Sequence, residues 1–235
     1  MTDAAEDLHK RLDAVRKRVE TAARGCNRAT EEITLIAISK THPTETLRAA
    51  IGLGLSDLGE NRVQEAEGKI VELGRTSARW HLVGHLQENK ARRAISLFDV
   101  IHSLDSISLA QRLNRLCVSE DRDELPVLVQ INLGAEESKT GIEPEELRPL
   151  LEVVAECQRL RLVGLMTLPP YFENGEKGRP FFKTLRDLRD QLFTEGRFGS
   201  GKGELSMGMS HDFEVAIEEG ATMIRVGTAI FGERS

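Results

Sequence analysis

Short apolar runs alternate with longer amphipathic stretches over most of this chain. The first amphipathic stretch, residues 5–24, repeats its apolar side chains every three or four positions and ends before a glycine, which predicts a helix. Eight apolar runs of strand length follow, at 34–39, 56–59, 79–83, 100–103, 127–132, 160–166, 203–207 and 222–226. Between them lie polar stretches with helical periodicity and the length of a crossover helix, among them 44–53, 62–73, 107–118 and 144–157.

This alternation predicts an α/β fold. Eight strands separated by helices in about 200 residues are typical of a single (β/α)8 TIM barrel, here with an extra N-terminal helix. We expect residues 1–235 to form one such domain. The same alternation is compatible with a doubly wound open sheet, so the pattern alone leaves both architectures open. Residues 169–180 hold three prolines and two glycines and are predicted to form a long surface loop.

Composition and charge narrow the functional classes. The 235 residues carry 32 Lys and Arg against 38 Asp and Glu, a formal net charge of −6, so nucleic acid is not an expected partner. The three cysteines are widely spaced and form no pair typical of a zinc site or a disulfide framework, which fits a reducing compartment. No apolar run reaches the ~18 residues that span a bilayer, and the amino terminus lacks the features of a signal peptide. We therefore expect a cytoplasmic protein without a membrane partner.

Lys40 ends the first predicted strand and is the leading candidate for covalent chemistry. An ammonium beside the apolar wall of a strand is partly desolvated, which lowers its pKa and raises the fraction of neutral amine. Neutral amines attack aldehydes, so Lys40 is placed to form a Schiff base with a carbonyl compound. The alternative is a lysine whose stem packs along the strand end while its ammonium reaches solvent.

The ends of the last two predicted strands carry features of a phosphate site. In a TIM barrel the active site lies at the carboxyl ends of the strands, and the loops after strands seven and eight commonly bind phosphate. Here these ends hold Ser206, Gly227 and Thr228, whose hydroxyls and close backbone suit an anion. A Schiff-base lysine combined with a phosphate site suits an aldehyde that carries a phosphate, and pyridoxal 5′-phosphate (PLP) is such a molecule. Helix capping is the alternative role for the hydroxyls.

Arg225 lies two residues before the Gly227-Thr228 turn, where it would face the pyridine nitrogen of a bound ring. Arginine stays charged and only donates hydrogen bonds, so it would leave that nitrogen unprotonated and the ring a poor electron sink. An ion pair at the barrel rim is the alternative role.

Long segments of the chain resemble the pyridoxal phosphate homeostasis proteins, whose barrel is similar to the N-terminal domain of alanine racemase. The matching segments are LIAISKTHP (35–43), LGENRVQEAEGKI (58–70), WHLVGHLQENK (80–90), IHSLDS (101–106), VQINLGAEESKTGI (129–142), GLMTLPPYFEN (164–174) and LSMGMSHDFEVAIEEGATMIRVGTAIFGER (205–234). They cover most of the chain in order. His211 departs from the family pattern, since many relatives have an aspartate there.

The resemblance implies a single-domain barrel in which Lys40 carries PLP as an internal aldimine. It implies phosphate contacts on Ser206, Gly227 and Thr228, with Arg225 at the pyridine nitrogen. Asn61, at the end of the second predicted strand, is a further candidate for contact with the cofactor.

Two other pairs invite interpretation. His81 and His85 are four residues apart, a spacing that suits a metal on a helix, but the segment is predicted to run from a strand into a loop, so we expect no metal site. Glu65 and Lys69 are also four apart, on a predicted helix, and are interpreted as an exposed surface pair.

The sequence leaves three functions to compare. The first is a non-catalytic PLP-binding protein that acts in PLP homeostasis and has PLP-dependent apoenzymes as possible recipients. The second is an amino-acid racemase, which needs acid-base groups on both faces of the substrate. Tyr171 is the only tyrosine, and the chain has no room for the second domain that carries this group in related racemases, so we favour the carrier and expect a monomer. A lysine-dependent aldolase without cofactor is the third.

Overall fold

The computed structural model describes residues 3–134 and 140–232. Its strands are β1 (Thr34–Ile38), β2 (Asp57–Glu60), β3 (Arg79–Leu82), β4 (Val100–Leu104), β5 (Leu125–Ile131), β6 (Leu160–Thr167), β7 (Glu204–Met209) and β8 (Met223–Val226). Its α-helices are α1 (Asp3–Gly25), α2 (Thr44–Gly52), α3 (Val63–Leu73), α4 (Ala91–Leu97), α5 (Ile107–Ser119), α6 (Leu147–Glu156), α7 (Arg179–Thr194), α8 (Phe213–Glu218) and α9 (Thr228–Phe231). Each predicted strand is present, with its ends shifted by at most two residues.

The strands form a closed parallel barrel in sequence order. Closure depends on the pairing of β1 with β8, which aligns Thr34 with Met223 and Ala37 with Val226. The prediction of a (β/α)8 barrel with an extra N-terminal helix is confirmed, and the open-sheet alternative is wrong because β1 and β8 are hydrogen-bonded neighbours. The extra helix, α1, packs against α8 and α9.

Alternate residues of each strand face opposite sides of the barrel wall. The outward side chains pack under the helices in one large apolar cluster. The inward ones form a smaller apolar cluster of Ile36, Ile38, Val83, Val100, Leu128, Met166 and Met223. Polar side chains share this interior, since His81 and His102 each stand two residues from an inward valine. Because both imidazoles are fully buried, each needs hydrogen-bond partners inside the barrel.

The predicted loop at 169–180 is partly structured. A 3-10 turn covers Gly175–Gly178, and α7 begins at Arg179 with Pro180 in its first turn. Proline suits that position, since its missing N–H would have no partner in the helix. None of the described helices is long and apolar enough to cross a membrane.

Candidate functional site

A cavity of ≈ 280 Å³ opens at the carboxyl ends of the strands. Its lining comprises Ile38, Lys40, Asn61, Val83, Leu168, Tyr171, Met209, Ser210, His211, Arg225, Gly227 and Thr228. Five of the six predicted site residues are therefore brought together: Lys40, Asn61, Arg225, Gly227 and Thr228. The sixth, Ser206, does not line the cavity.

Lys40 reaches the cavity because of the strand period. Ile36 and Ile38 face the barrel interior, and Lys40, two residues further on, continues the same face at the barrel mouth. Ser39 faces the other way, and its hydroxyl donates a hydrogen bond of 2.6 Å to Glu60 Oε1 behind the barrel wall.

The backbone on both sides of Lys40 is held by a buried cluster of charged groups. Lys69 Nζ donates to Ser39 O at 2.6 Å and to Glu60 Oε1 and Glu65 Oε1 at 2.7 Å each. Glu65 also accepts a hydrogen bond from the N–H of Thr41. Thr41 has a φ of 69°, in the left-handed region that a β-branched residue seldom adopts, so this turn needs support from its surroundings. The cluster thereby fixes the turn that presents Lys40.

The interpretation of Glu65 and Lys69 as an exposed surface pair is wrong. Lys69 is only 7 % exposed, since α3 turns this side chain toward the barrel wall. A signal was present in the sequence: Lys69 continues the three-residue spacing of Val63 and Ala66, which are both buried. Burial raises the pKa of the Glu60 carboxyl despite the neighbouring ammonium of Lys69.

The structure also corrects the position of Ser206. Its side chain is fully buried inside the barrel. Its Oγ accepts a hydrogen bond of 2.6 Å from Arg225 Nη1 and lies 2.9 Å from His102 Nδ1. A hydroxyl with two partners below the cavity does not reach a phosphate in it. Ser210 lies at the cavity instead, and its Oγ accepts hydrogen bonds from the N–H groups of Gly227 at 3.2 Å and Ala229 at 3.4 Å. Because the oxygen accepts both bonds, the Ser210 proton remains for a ligand.

Arg225 forms the floor of the cavity. It is 3 % exposed and donates from Nη2 to Thr167 O at 2.9 Å, as well as to Ser206. Burial lowers its pKa to about 10, against the opposing effect of Asp212, so the guanidinium remains charged at neutral pH. Its side chain donates to Ser206 and Thr167, so the alternative role, an ion pair at the barrel rim, is not seen within the described part of the chain.

Asn61 approaches the cavity from the loop after β2, beside Gly84. A Cβ at residue 84 would lie 2.2 Å from the backbone oxygen of Asn61, so only glycine permits this contact. His81 and His85 diverge: His81 lies inside the barrel, while His85 Nδ1 meets Asp105 Oδ2 outside the cavity at 2.9 Å. Among the described residues no group of three or more His, Cys, Asp or Glu is arranged to hold a metal ion.

Tyr171 and His211 stand at the cavity mouth. Their ring centroids are 4.7 Å apart, and His211 Nε2 lies 3.3 Å from Asp212 Oδ2. The Tyr171 residue is 72 % exposed. The predicted loop at 169–180 therefore contributes one wall of the opening, with a side chain that is largely in solvent.

A larger cavity of ≈ 740 Å³ lies at the amino ends of the strands. Arg161 and Arg197 line it, but their charges are engaged, with Glu124 at 2.7 Å and Glu152 at 2.6 Å. In TIM barrels the amino-terminal face serves stability and the carboxyl-terminal face carries the chemistry. We therefore assign the functional site to the smaller cavity.

Comparisons with known proteins agree with this assignment. The family model of the alanine racemase N-terminal domain matches residues 11–235. The chain is 44 % identical over 232 residues to a pyridoxal phosphate homeostasis protein of Aquifex aeolicus, which covers 99 % of each chain. It is 42 % identical over 241 residues to the protein of that name in Escherichia coli (strain K12), with 97 % of each covered.

Solved structures give the same result. PipY of Synechococcus elongatus, with PLP bound, superposes with a TM-score of 0.82 at 36 % identity and covers 96 % of this chain and 100 % of its own. Alanine racemase of Clostridium difficile has a TM-score of 0.70 at 15 % identity over 97 % of this chain and 60 % of its own, which shows a common fold alone. By family match and by identity, the chain belongs to the alanine racemase N-terminal domain family and, within it, to the pyridoxal phosphate homeostasis proteins.

Proposed function

We propose that this protein binds PLP through a Schiff base on Lys40 and holds it without marked catalytic activity, in the service of PLP homeostasis. The observation that carries the proposal is the meeting of Lys40, Arg225 and Thr228 in one cavity at the carboxyl ends of the strands. The name of the relatives and the PLP bound to PipY support it.

The donor set of the cavity fits this cofactor. Lys40 offers an amine for an aldehyde, Arg225 a cationic donor for a ring nitrogen, and Ser210 and Thr228 hydroxyls for a phosphate. The volume of ≈ 280 Å³ is close to the lower limit of about 300 Å³ for small-molecule sites, as suits a single-ring ligand.

The residues of the site favour binding of PLP over PLP-dependent catalysis. PLP supplies an aldehyde carbon and, in enzymes, an electron-withdrawing ring. Arg225 only donates hydrogen bonds, so it would hold the ring nitrogen as an acceptor and leave the ring a weak electron sink. Among the described residues that line the cavity, Lys40 has the one amine, and a second acid-base group for inversion would have to come from another residue of the lining.

The racemase alternative depends on Tyr171, which lines the cavity mouth. Its high exposure speaks against a base held at a fixed distance from a substrate, since catalytic groups need positioned geometry.

Three further features of the proposed function stay predictions. They are PLP-dependent apoenzymes as recipients, a monomeric state and a cytoplasmic location.

Replacement of Lys40 tests the proposal. Lys40→Ala should abolish the visible absorbance band of the PLP-loaded protein and the mass adduct that borohydride reduction fixes, because no other lining residue in the described part of the chain has an amine. Lys90→Ala is the matched control and should keep both signals, since Lys90 lies in a 3-10 turn that does not line the cavity. An adduct that persists on another lysine of the Lys40→Ala protein would refute the assignment.

Replacement of Thr228 tests the phosphate end of the site. Thr228→Val removes the hydroxyl and keeps the side-chain shape, and it should weaken PLP binding by about 1 to 3 kcal/mol if one charge-assisted hydrogen bond is lost. Pyridoxal, which has no phosphate, should bind both proteins equally. Titration of each ligand against wild type and variant measures the difference, and an equal loss for both ligands would contradict a phosphate contact at residue 228.

A further inference from the structure

A continuous chain of hydrogen bonds crosses the barrel interior below the cavity. It begins at Asp57 on β2, where Oδ1 lies 2.9 Å from His81 Nε2. His81 Nδ1 lies 2.8 Å from His102 Nε2, and His102 Nδ1 lies 2.9 Å from Ser206 Oγ. Arg225 Nη1 closes the chain with its 2.6 Å hydrogen bond to Ser206 Oγ. The chain, which we call the interior relay, joins five strands and connects the amino-terminal end of β2 to the cavity floor.

The donors of the interior relay all point the same way. The Arg225 side chain has only N–H donors, so Ser206 Oγ accepts its hydrogen bond, and the Ser206 hydroxyl donates its own hydrogen bond to His102 Nδ1. His102 then carries its proton on Nε2 and donates to His81 Nδ1. His81 in turn donates from Nε2 to the Asp57 carboxylate. Each link thus has one proton, with both histidines neutral and protonated on Nε2.

The opposite direction fails at both ends of the relay. In that direction Asp57 would have to be protonated in order to donate to His81. At the other end, His102 and Arg225 would both donate to Ser206 Oγ, so the Ser206 hydroxyl proton would have no acceptor within the relay. Burial raises the pKa of Asp57, but hydrogen bonds from His81 and Ser56 outweigh it and bring the pKa below its ordinary value. Burial lowers the pKa of His81 and, more strongly, that of His102, so both imidazoles are neutral.

Arg225 has an unusual electrostatic position. It is a buried cation that donates hydrogen bonds to Ser206 and Thr167, and no carboxylate lies within ion-pair distance of it among the residues that the structure describes. Burial lowers its pKa, and Asp212 raises it from further away. An uncompensated buried charge is costly, and hydrogen bonds in a low dielectric polarise one another. The interior relay places the Asp57 carboxylate at the far end of a chain of dipoles whose negative ends face the guanidinium. The Asp57 carboxylate therefore adds a second compensating charge to that of Asp212 without occupying space in the cavity.

We propose that Asp57, His81 and His102 are positioning residues for Arg225: the interior relay stabilises the guanidinium and keeps it aimed at the cavity, and it fixes both histidines as Nε2-protonated neutral tautomers. The part of this proposal that concerns PLP rests on the function proposed above. The part that concerns the relay itself belongs to the unliganded protein, so the two parts can fail separately.

Nitrogen-15 NMR of the ligand-free protein with labelled histidine and arginine tests the relay at neutral pH. The chain has only six histidines, so His81 and His102 can be assigned by substitution. Both should show the pattern of a neutral imidazole protonated on Nε2. A cationic imidazole, or protonation on Nδ1 at either residue, would overturn the proposed direction.

Asp57→Asn then tests whether the effect travels along the relay. Asparagine keeps an oxygen for His81 and removes the charge, so the N–H signals of His81, His102 and Arg225 should all shift. Asp105→Asn is the matched control, because it neutralises a carboxylate that also lies 2.9 Å from a histidine, His85, but outside the relay. A shift confined to His81 in the Asp57→Asn protein would show that the carboxylate does not act on Arg225.

His102→Leu tests the link to the cofactor by interrupting the relay at its centre. If Arg225 needs the relay for its position, PLP should bind roughly 5- to 100-fold more weakly, as for the loss of a buried hydrogen-bond partner. Unchanged PLP affinity in a folded His102→Leu protein would overturn the positioning role, and the Asp57→Asn spectra still judge the relay if His102→Leu does not fold. If wild type fails to bind PLP, the proposed function fails while the spectra of the ligand-free protein retain their meaning.

Discussion

Lys69→Met is expected to lower the free energy of unfolding by about 3 to 5 kcal/mol, because it leaves a buried carboxylate without its cation. Glu60 is fully buried, and its Oε1 accepts hydrogen bonds from both Lys69 and Ser39. Its Oε2 has no partner among the described residues, so the carboxylate has no alternative compensation there. Urea unfolding of wild type and variant measures the loss.

Two further variants separate the buried charge from general damage. Adding Glu60→Gln to Lys69→Met removes the uncompensated carboxylate and should recover a large part of the lost stability. Lys10→Met is the surface control: the Lys10 ammonium is largely exposed and 4.0 Å from Asp7, so its loss should change stability by less than about 0.5 kcal/mol. Equal effects of Lys10→Met and Lys69→Met would contradict the account of a buried ionic cluster.

Gly84→Ala is expected to destabilise the protein by about 1 to 3 kcal/mol through overpacking. The added Cβ would lie 2.2 Å from the backbone oxygen and 2.8 Å from the Cα of Asn61, and a backbone contact cannot be relieved by a side-chain rotation. The loop after β2 must therefore move, and with it Asn61 at the cavity. We expect weaker PLP binding together with the loss of stability, both measured on the same preparation.

Gly68→Ala is the matched control for this substitution. Gly68 lies within α3, and a Cβ there would meet nothing within 4 Å. Alanine in a helix interior is more favourable than glycine by roughly 0.5 to 1 kcal/mol, so this variant should gain stability. The two glycine substitutions should thus have opposite signs, and a loss of stability in both would mean that steric contact does not explain the effect at Gly84.

The sequence predicts the barrel well because each strand is a short apolar run and each crossover has helical periodicity. It also places Lys40 at the cavity, since a strand end followed by a turn is visible in the residue pattern. The alternation of apolar runs and helical stretches was by itself compatible with both a closed barrel and an open sheet, because closure depends on the pairing of β1 with β8 and no local pattern encodes that pairing.

Side-chain partners were predicted less well than strand positions. Ser206 and Ser210 are four residues apart, so the two-residue alternation of a strand does not distinguish them. Only the end of β7 at Met209 decides that Ser206 lies inside the barrel and Ser210 at the cavity. The local sequence around His102, in β4, does not indicate its partners. Its part in the interior relay depends on partners from β3 and β7 that are distant in sequence.

The pairing of β1 with β8 has a consequence for the synthesis of the protein. Lys40 follows the first strand, whereas Arg225 and Thr228 belong to the last strand and the helix after it. A chain emerging from the ribosome therefore exposes Lys40 long before Arg225 and Thr228, the residues proposed to contact the ring and the phosphate. Such distant contacts form late, because loop closure over nearly the whole chain must come first. If the proposed function holds, selective binding of PLP can begin only when the barrel closes, and each bound PLP then stabilises the closed form over partly folded chains.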